Sequence, residues 1–357
     1  MASGPVGWHP ARLGGIRPGW VASGLGSVAA GSVGRMPVRA AVYDLGSSSF
    51  QLLVCDVADD GSLEPVARSR AALELGAAVG ATGVVPPERV AAARRAARRL
   101  AVRLHSLIPD TTVAIATAAL RDAVNGAAVA AELSGVIGVP VQLVDGAEEA
   151  RLCFVGQLAA VWTPPEPAVG VDLGGGSMEM AIGHEHCLLA AASVPVGATR
   201  LLGELGEPDR LGDRGRAQVA ERVRHSVGGW PAEIDRLGAD RARLVASGGT
   251  VRALARLATA RAHPGGAARA SVNQVELPAG QIDELAGTLA GMGLAARLAL
   301  PGMPARRARS IAYGAAALSA LVDVLGTDRV VVSEWGLREG AILDALKRVG
   351  AELGTGA

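Results

Sequence analysis

The sequence predicts a two-lobed α/β protein with a cleft between its lobes. Its 357 residues exceed the roughly 250 to 300 that one hydrophobic core supports, and two lobes accommodate them. Short apolar strands alternate with helical segments along most of the chain. A strand, an aspartate, a turn of small residues and another strand occur once in each half, as Asp44-Leu45-Gly46-Ser47-Ser48-Ser49 and Asp172-Leu173-Gly174-Gly175-Gly176-Ser177.

Taken in order, residues 1–36 read as a disordered tail or a mis-assigned start. Their apolar stretch is too broken by glycine for a signal peptide. Val38 to Leu45, Phe50 to Val57 and Leu63 to Glu74 form a meander, turned at the small-residue loop and again at Asp59-Asp60-Gly61. Pro87 to Leu107 has helical spacing with proline at its entry, and its outer face carries Arg94, Arg95, Arg98 and Arg99. Such a face is ordinarily only solvated; tracking a polyanion is the alternative. A strand at Thr111 to Ala116, a helix at Arg121 to Val136, a strand at Val139 to Val144 and a helix at Glu148 to Ala160 follow.

After Thr163 to Pro167 the opening pattern returns, with strands at Ala168 to Leu173, Met178 to Gly183 and Cys187 to Val194. A helix at Arg214 to Leu237 and a strand at Arg243 to Ala246 lead into the turn Ser247-Gly248-Gly249-Thr250, which opens a helix. His263 to Arg269 reads as a loop. Helices near Ala279 to Met292 and Pro304 to Leu325, a strand at Arg329 to Ser333 and a helix at Arg338 to Val349 complete the chain. The first lobe thus takes residues 37–145 plus the returning segment 335–350, and the second takes 146–334.

Composition limits the partners. A formal net charge of +1 supplies no global field toward nucleic acid or membrane, so any anion site is local. No apolar run reaches the roughly 18 residues of a membrane span. Cys55, Cys153 and Cys187 are scattered without metal or disulfide spacing, which suits a reducing cytoplasm. Basic residues are nearly all arginine, with Lys347 the single lysine, a composition that codon bias explains.

A phosphate requires many donors at close range, and backbone N–H groups provide them where side chains are small. Either repeated turn alone would pass for an ordinary hairpin. Two in matching strand context point to a phosphate cleft, with Gly46, Ser47, Ser48 and Ser49 on one side and Gly174, Gly175, Gly176 and Ser177 on the other. The aspartates preceding the turns, Asp44 and Asp172, stand where they can reach Mg²⁺ or its water shell. Gly248, Gly249 and Thr250 set a helix N-terminus where it can meet an anion. His184-Glu185-His186-Cys187 falls at a hairpin turn, and alternate strand residues point to opposite faces, so a surface role is expected of it. Cys153 reads as a small hydrophobe.

These residues resemble the exopolyphosphatase and guanosine pentaphosphate phosphohydrolase (Ppx/GppA) family, of the acetate kinase, sugar kinase, Hsp70 and actin superfamily, in its short two-domain form. The segments that carry the likeness include Tyr43 to Phe50, Ala116 to Ala123 with Asn125, Gly146 to Leu152, Val171 to Glu179, Ala246 to Thr250 and Gly336 to Gly340. The resemblance implies a two-lobed actin-like fold and Mg²⁺-dependent removal of the terminal phosphate of polyphosphate. It assigns Glu149 as the base that activates water, Glu179 as its acidic helper and Arg121 as the cation on the terminal phosphoryl group. It also makes Asp172 and Asp44 the Mg²⁺ ligands.

The sequence departs from the family pattern at Ser48, usually Asn, at Gln51, usually Arg or His, and at Arg309, often Asp. The first two departures thin the donors on the first loop. Two alternatives therefore stay open: hydrolysis of guanosine pentaphosphate, and non-catalytic binding of polyphosphate or guanosine penta- or tetraphosphate. A homodimer stays open as well. For Glu148, Glu149 and Arg151 the bland alternative is a solvated helix start.

Overall fold

A computed structural model describes residues 37–161, 167–184, 187–206, 208–239, 242–262 and 271–354. The chain divides into two compact units. One holds the described residues through Ala159 and those from Trp335 onward, and the other spans Ala160–Glu334. The sequence reading draws the boundary at Asp145. The helix that follows groups with the first unit, because it packs there against the C-terminal helix.

In the first unit the opening apolar runs form β1 (Val38–Leu45), β2 (Ser49–Val57) and β3 (Leu63–Ala72), an antiparallel meander. Helices α1 (Leu75–Thr82) and α2 (Pro87–His105) precede β4 (Thr111–Ala116), which pairs parallel to β1. Next come α3 (Ala118–Asp122), α4 (Gly126–Ile137), β5 (Val141–Leu143) and α5 (Gly146–Ala160). The sheet order is β3-β2-β1-β4-β5. The alternate faces of β1 feed two cores, since Ala41, Tyr43 and Leu45 pack with α2 and α4 residues such as Leu100 and Leu133. Ala40 and Val42 pack instead with Leu152 of α5 and with Ala341 and Ile342 of the C-terminal helix.

The second unit repeats this plan. Strands β6 (Ala168–Leu173), β7 (Met178–His184) and β8 (Cys187–Val194) form its meander, followed by α6 (Ala198–Leu205), α7 (Gly212–Val227) and α8 (Trp230–Arg236). Strand β9 (Arg243–Ser247) runs into α9 (Gly249–Ala262), then β10 (Glu276–Pro278), α10 (Ala279–Gly291), α11 (Leu294–Leu298) and α12 (Ile311–Leu325). Strand β11 (Arg329–Val332) closes the unit, and α13 (Leu337–Gly354) returns to the first. The sheet order is β10-β11-β9-β6-β7-β8. Read from its far edge, this is the first sheet's arrangement with one antiparallel strand added, and both belong to an actin-like α/β fold.

Differences from the sequence expectations have local causes. The helix expected over 121–136 is two, because the Asn125 side chain bonds both the N–H and the carbonyl of Val85 and turns the chain between them. Gly228 and Gly229 divide the helix expected over 214–237, and Pro231 enters its second part. The segment from Pro304 starts as a short 3-10 turn at Ala305–Arg307, and its α-helix begins only at Ile311. Glu74, expected in the third strand, adopts a left-handed φ of 53° and precedes α1. The expected loop at 263–269, most of the 163–167 stretch and the tail 1–36 lie outside the described residues, as do Glu185 and His186.

Candidate functional site

In the first unit, neighbouring parallel strands deliver the predicted residues from one carboxyl edge of the sheet, the edge where open α/β sheets hold ligands. Strand β1 ends at Asp44 and Leu45 and gives the Gly46–Ser49 turn. Strand β4 gives α3 and Arg121, and β5 gives Val144 and then α5 with Glu149.

The turn has a directional hydrogen-bond pattern. Gly46 N–H donates to the Ser49 carbonyl and closes the loop. The Ser47 carbonyl accepts from Gly76, and the Ser48 carbonyl from Leu73 and Glu74. The N–H groups of Ser47 and Ser48 have no acceptor among the described residues. Oxygens are thus tied back into the protein and donors left to an outside acceptor, the arrangement of an anion-binding nest.

Arg121 and Glu149 form a close pair, with a guanidinium nitrogen 2.7 Å from Glu149 Oε2. Arg121 also donates to the Val144 carbonyl and meets Asp122 at 3.2 Å. Glu149 is 5% exposed. Burial alone would lower the Arg121 pKa, but attraction to Glu149 and the hydrogen bond outweigh it and hold the group above its ordinary value. The neighbouring carboxylate has a different fate. Glu148 is doubly bonded by Arg151, which also pairs with Asp344 of α13. Asp145 caps the helix through the Glu148 N–H. Glu148 and Arg151 therefore fasten α5, whereas Glu149 points at the arginine that follows β4.

The second unit reproduces the turn. Gly174 N–H donates to the Ser177 carbonyl. The Gly174 carbonyl accepts from Ala198, that of Gly175 from Thr199 and Arg200, and that of Gly176 from the Arg200 side chain at 2.6 Å. The N–H groups of Gly175, Gly176 and Ser177 have no acceptor among the described residues. Asp172 accepts a 2.5 Å hydrogen bond from Ser247 and Glu179 one of 2.8 Å from Ser193. Ser247 leads into the third predicted element. Gly248 there has a φ of +100°, and a Cβ on it would run into the Leu173 carbonyl, so only glycine lets β9 turn this close to β6. The Arg307 guanidinium lies against Gly249 at the opening of α9, where the first helical N–H groups have no intrahelical acceptor. The Thr250 side chain is fully buried, and its hydroxyl has no partner among the described residues.

Asp44, Asp172, Glu149 and Glu179 could offer oxygen to a hard cation. Among the described residues no three His, Cys, Asp or Glu side chains gather into a metal cage.

Sequence reasoning did not find the partners Ser193, Ser247, Arg200, Arg307 and Arg338. Two were within its reach. Asp172 is the ladder neighbour of Ser247 and Glu179 that of Ser193, so strand register would have found both. His184 and Cys187 face each other at the end of the β7–β8 hairpin.

Two α/β units, each opening with an antiparallel meander and bearing a small-residue turn after its first strand, define a protein of the actin-like fold. The family model described as the Ppx/GppA phosphatase family matches residues 53–349. The chain is 32% identical over 321 residues to exopolyphosphatase 2 of Mycobacterium tuberculosis, covering 85% of this chain and 98% of that one. It is 29% identical over 319 residues to exopolyphosphatase 1 of Mycobacterium leprae, covering 87% and 90%. The crystal structure of an exopolyphosphatase from Cytophaga hutchinsonii superimposes with a TM-score of 0.76 at 23% identity, over 86% of this chain and 98% of that one. This protein belongs to the Ppx/GppA phosphatase family.

Proposed function

We propose that the protein is an exopolyphosphatase that removes the terminal phosphate of inorganic polyphosphate by Mg²⁺-dependent attack of water. One observation carries the reading: both repeated turns tie their carbonyls inward and leave consecutive N–H groups to an outside anion. A polymer of phosphates with no other recognition element matches such donors, and the relatives bearing the name exopolyphosphatase support the choice.

The chemistry is assigned to this chain's own groups. Arg121 releases Glu149 when it engages the terminal phosphoryl oxygens, and the buried carboxylate orients the attacking water and takes its proton. Glu179, held by Ser193, assists at the second turn. Asp172 and Asp44 would hold Mg²⁺, which when bound supplies neutralisation of phosphate charge. The turn amides and the opening of α9 bind the non-reacting phosphates. No helix among the described residues is long and apolar enough to cross a membrane, and a cytoplasmic location is proposed on the cysteine pattern.

The test is phosphate release with Mg²⁺ from long-chain polyphosphate and, separately, from guanosine pentaphosphate. Faster release from polyphosphate is expected. Release from guanosine pentaphosphate alone would replace the substrate, and release from neither, with binding retained, would make the protein a sensor.

A further inference from the structure

Helix α2 carries six arginines in nineteen residues, against a single glutamate, in a chain whose net charge is only +1. Its inner face is apolar: Ala93, Ala96, Ala97, Leu100 and Leu104 are buried in the core of the first unit. At about 100° per residue, Arg95, Arg98, Arg99, Val102 and Arg103 share an outer arc of roughly 140°. All five are exposed. Arg94, at the edge of this arc, pairs with Glu132. Arg95, Arg98, Arg99 and Arg103 have no carboxylate partner among the described residues. From Arg95 to Arg103 the stripe extends about 12 Å along the helix.

The helix is also anchored beside the first turn. Arg89, near its start, donates to the Leu73 carbonyl at 2.9 Å, and Leu73 donates to the Ser48 carbonyl at 3.1 Å. Helix α2 therefore begins at the turn's end of the sheet and runs away from it, packed against β2 and β3, with the stripe starting at Arg95, about 9 Å along from Arg89.

Building on the exopolyphosphatase reading, we propose that the outer face of α2 is a second polyphosphate site, where Arg95, Arg98, Arg99 and Arg103 hold the part of a long chain distal to the reacting end. The surface chemistry selects this occupant. Single-stranded nucleic acid is bound by basic grooves interleaved with aromatic side chains, and α2 has no Phe, Tyr or Trp, its one imidazole, His105, lying beyond the stripe. A membrane-surface helix needs a broad apolar face toward lipid, and here Val102 is the one apolar residue in the stripe. Polyphosphate offers charge alone, which guanidinium groups match bidentately.

The test compares the wild type with the triple variant Arg95→Gln, Arg98→Gln, Arg99→Gln. All three side chains are exposed, so the thermal transition is expected to stay in place. For long-chain polyphosphate the KM should rise about tenfold or more with kcat unchanged, and the log KM against log salt plot should flatten by about 2, at roughly 0.7 per lost phosphate contact. Constants for tripolyphosphate, too short to reach both sites, should not move. An unchanged KM for long chains would overturn the proposal. If the wild type hydrolyses no polyphosphate, the activity reading fails, and the α2 site is then judged by Kd alone with end-labelled long-chain polyphosphate. Loss of affinity in the triple variant sustains the site, and equal affinity removes it. Single-stranded DNA of matched charge that binds the wild type as tightly, with the same loss in the variant, would make nucleic acid the occupant and overturn the assignment.

Discussion

Gln51 stands between Asp44 and Arg338. Its side-chain amide donates to Asp44 Oδ2 at 3.2 Å, and its carbonyl oxygen accepts from the Arg338 guanidinium at 3.2 Å. A cation is thus joined to the aspartate of the first turn through a neutral amide. Removing the bridge with Gln51→Ala forfeits a hydrogen bond to a charged group on each side, worth about 1.5 kcal/mol or more apiece. The expected outcome is a fall in kcat/KM of about tenfold in a phosphate-release assay. Wild-type kinetics in this variant would show that Asp44 is positioned without Gln51.

Arg121 and Glu149 act as a unit in the proposed mechanism. Glu149→Gln should keep substrate binding and lower kcat by about 10² to 10⁴, the usual range for losing a general base. Arg121→Ala should lower kcat comparably and weaken binding. The double variant should be scarcely worse than either single one, because residues that act together are not additive. Glu148→Gln loosens an ion-paired helix start and should leave kcat within about twofold. Full activity in Glu149→Gln would remove that residue from the role of base.

The sequence made the turns legible and hid the contacts that hold them. Strands β1, β4, β6 and β8 agree with their apolar runs because each is a short apolar stretch bounded by turn residues. The repeated aspartate and small-residue turn was visible because its pattern is local. Gln51 was read as a lost donor, yet its partner Arg338 lies 287 positions away, a distance no periodicity reports. Helix α6 was missed because its eight residues follow a glycine and carry no side-chain cap. The break at Asn125 was invisible for a related reason: its hydrogen bonds reach Val85, 40 positions back.

Helix α5, which carries Glu149, crosses α13 through two glycines. A Cβ on Gly156 would collide with the Gly336 carbonyl, and one on Gly340 with the carbonyl of Leu152. Both obstacles are backbone, so neither can rotate aside. Gly340→Ala is expected to destabilise the protein by about 1 to 3 kcal/mol and to lower Tm by several degrees. Activity should suffer as well, because the displaced helix moves Glu149 relative to Arg121. A variant with the wild-type Tm would mean the helices separate at little cost.

Alkaline pH should undo the core of the first unit. Burial pushes the Cys55 thiol up to about 12 from 9.0 and the Tyr43 hydroxyl up to about 12 from 10.0. Both groups stay neutral in the folded chain at pH values where the unfolded chain ionises them, so each favours unfolding as pH rises. Their contribution to stability is intact below about pH 9, begins to fall as the unfolded thiol ionises, and is lost by about pH 12. Denaturant midpoints measured from pH 8 to 11 should therefore decline, and Cys55→Ala should flatten the part of that decline nearest pH 9. Thiol labelling offers an independent check, since Cys187 is exposed while Cys55 and Cys153 are buried. One equivalent of reagent should react in the native protein and three after denaturation. Rapid native labelling of Cys55 would contradict both its burial and the predicted alkaline loss.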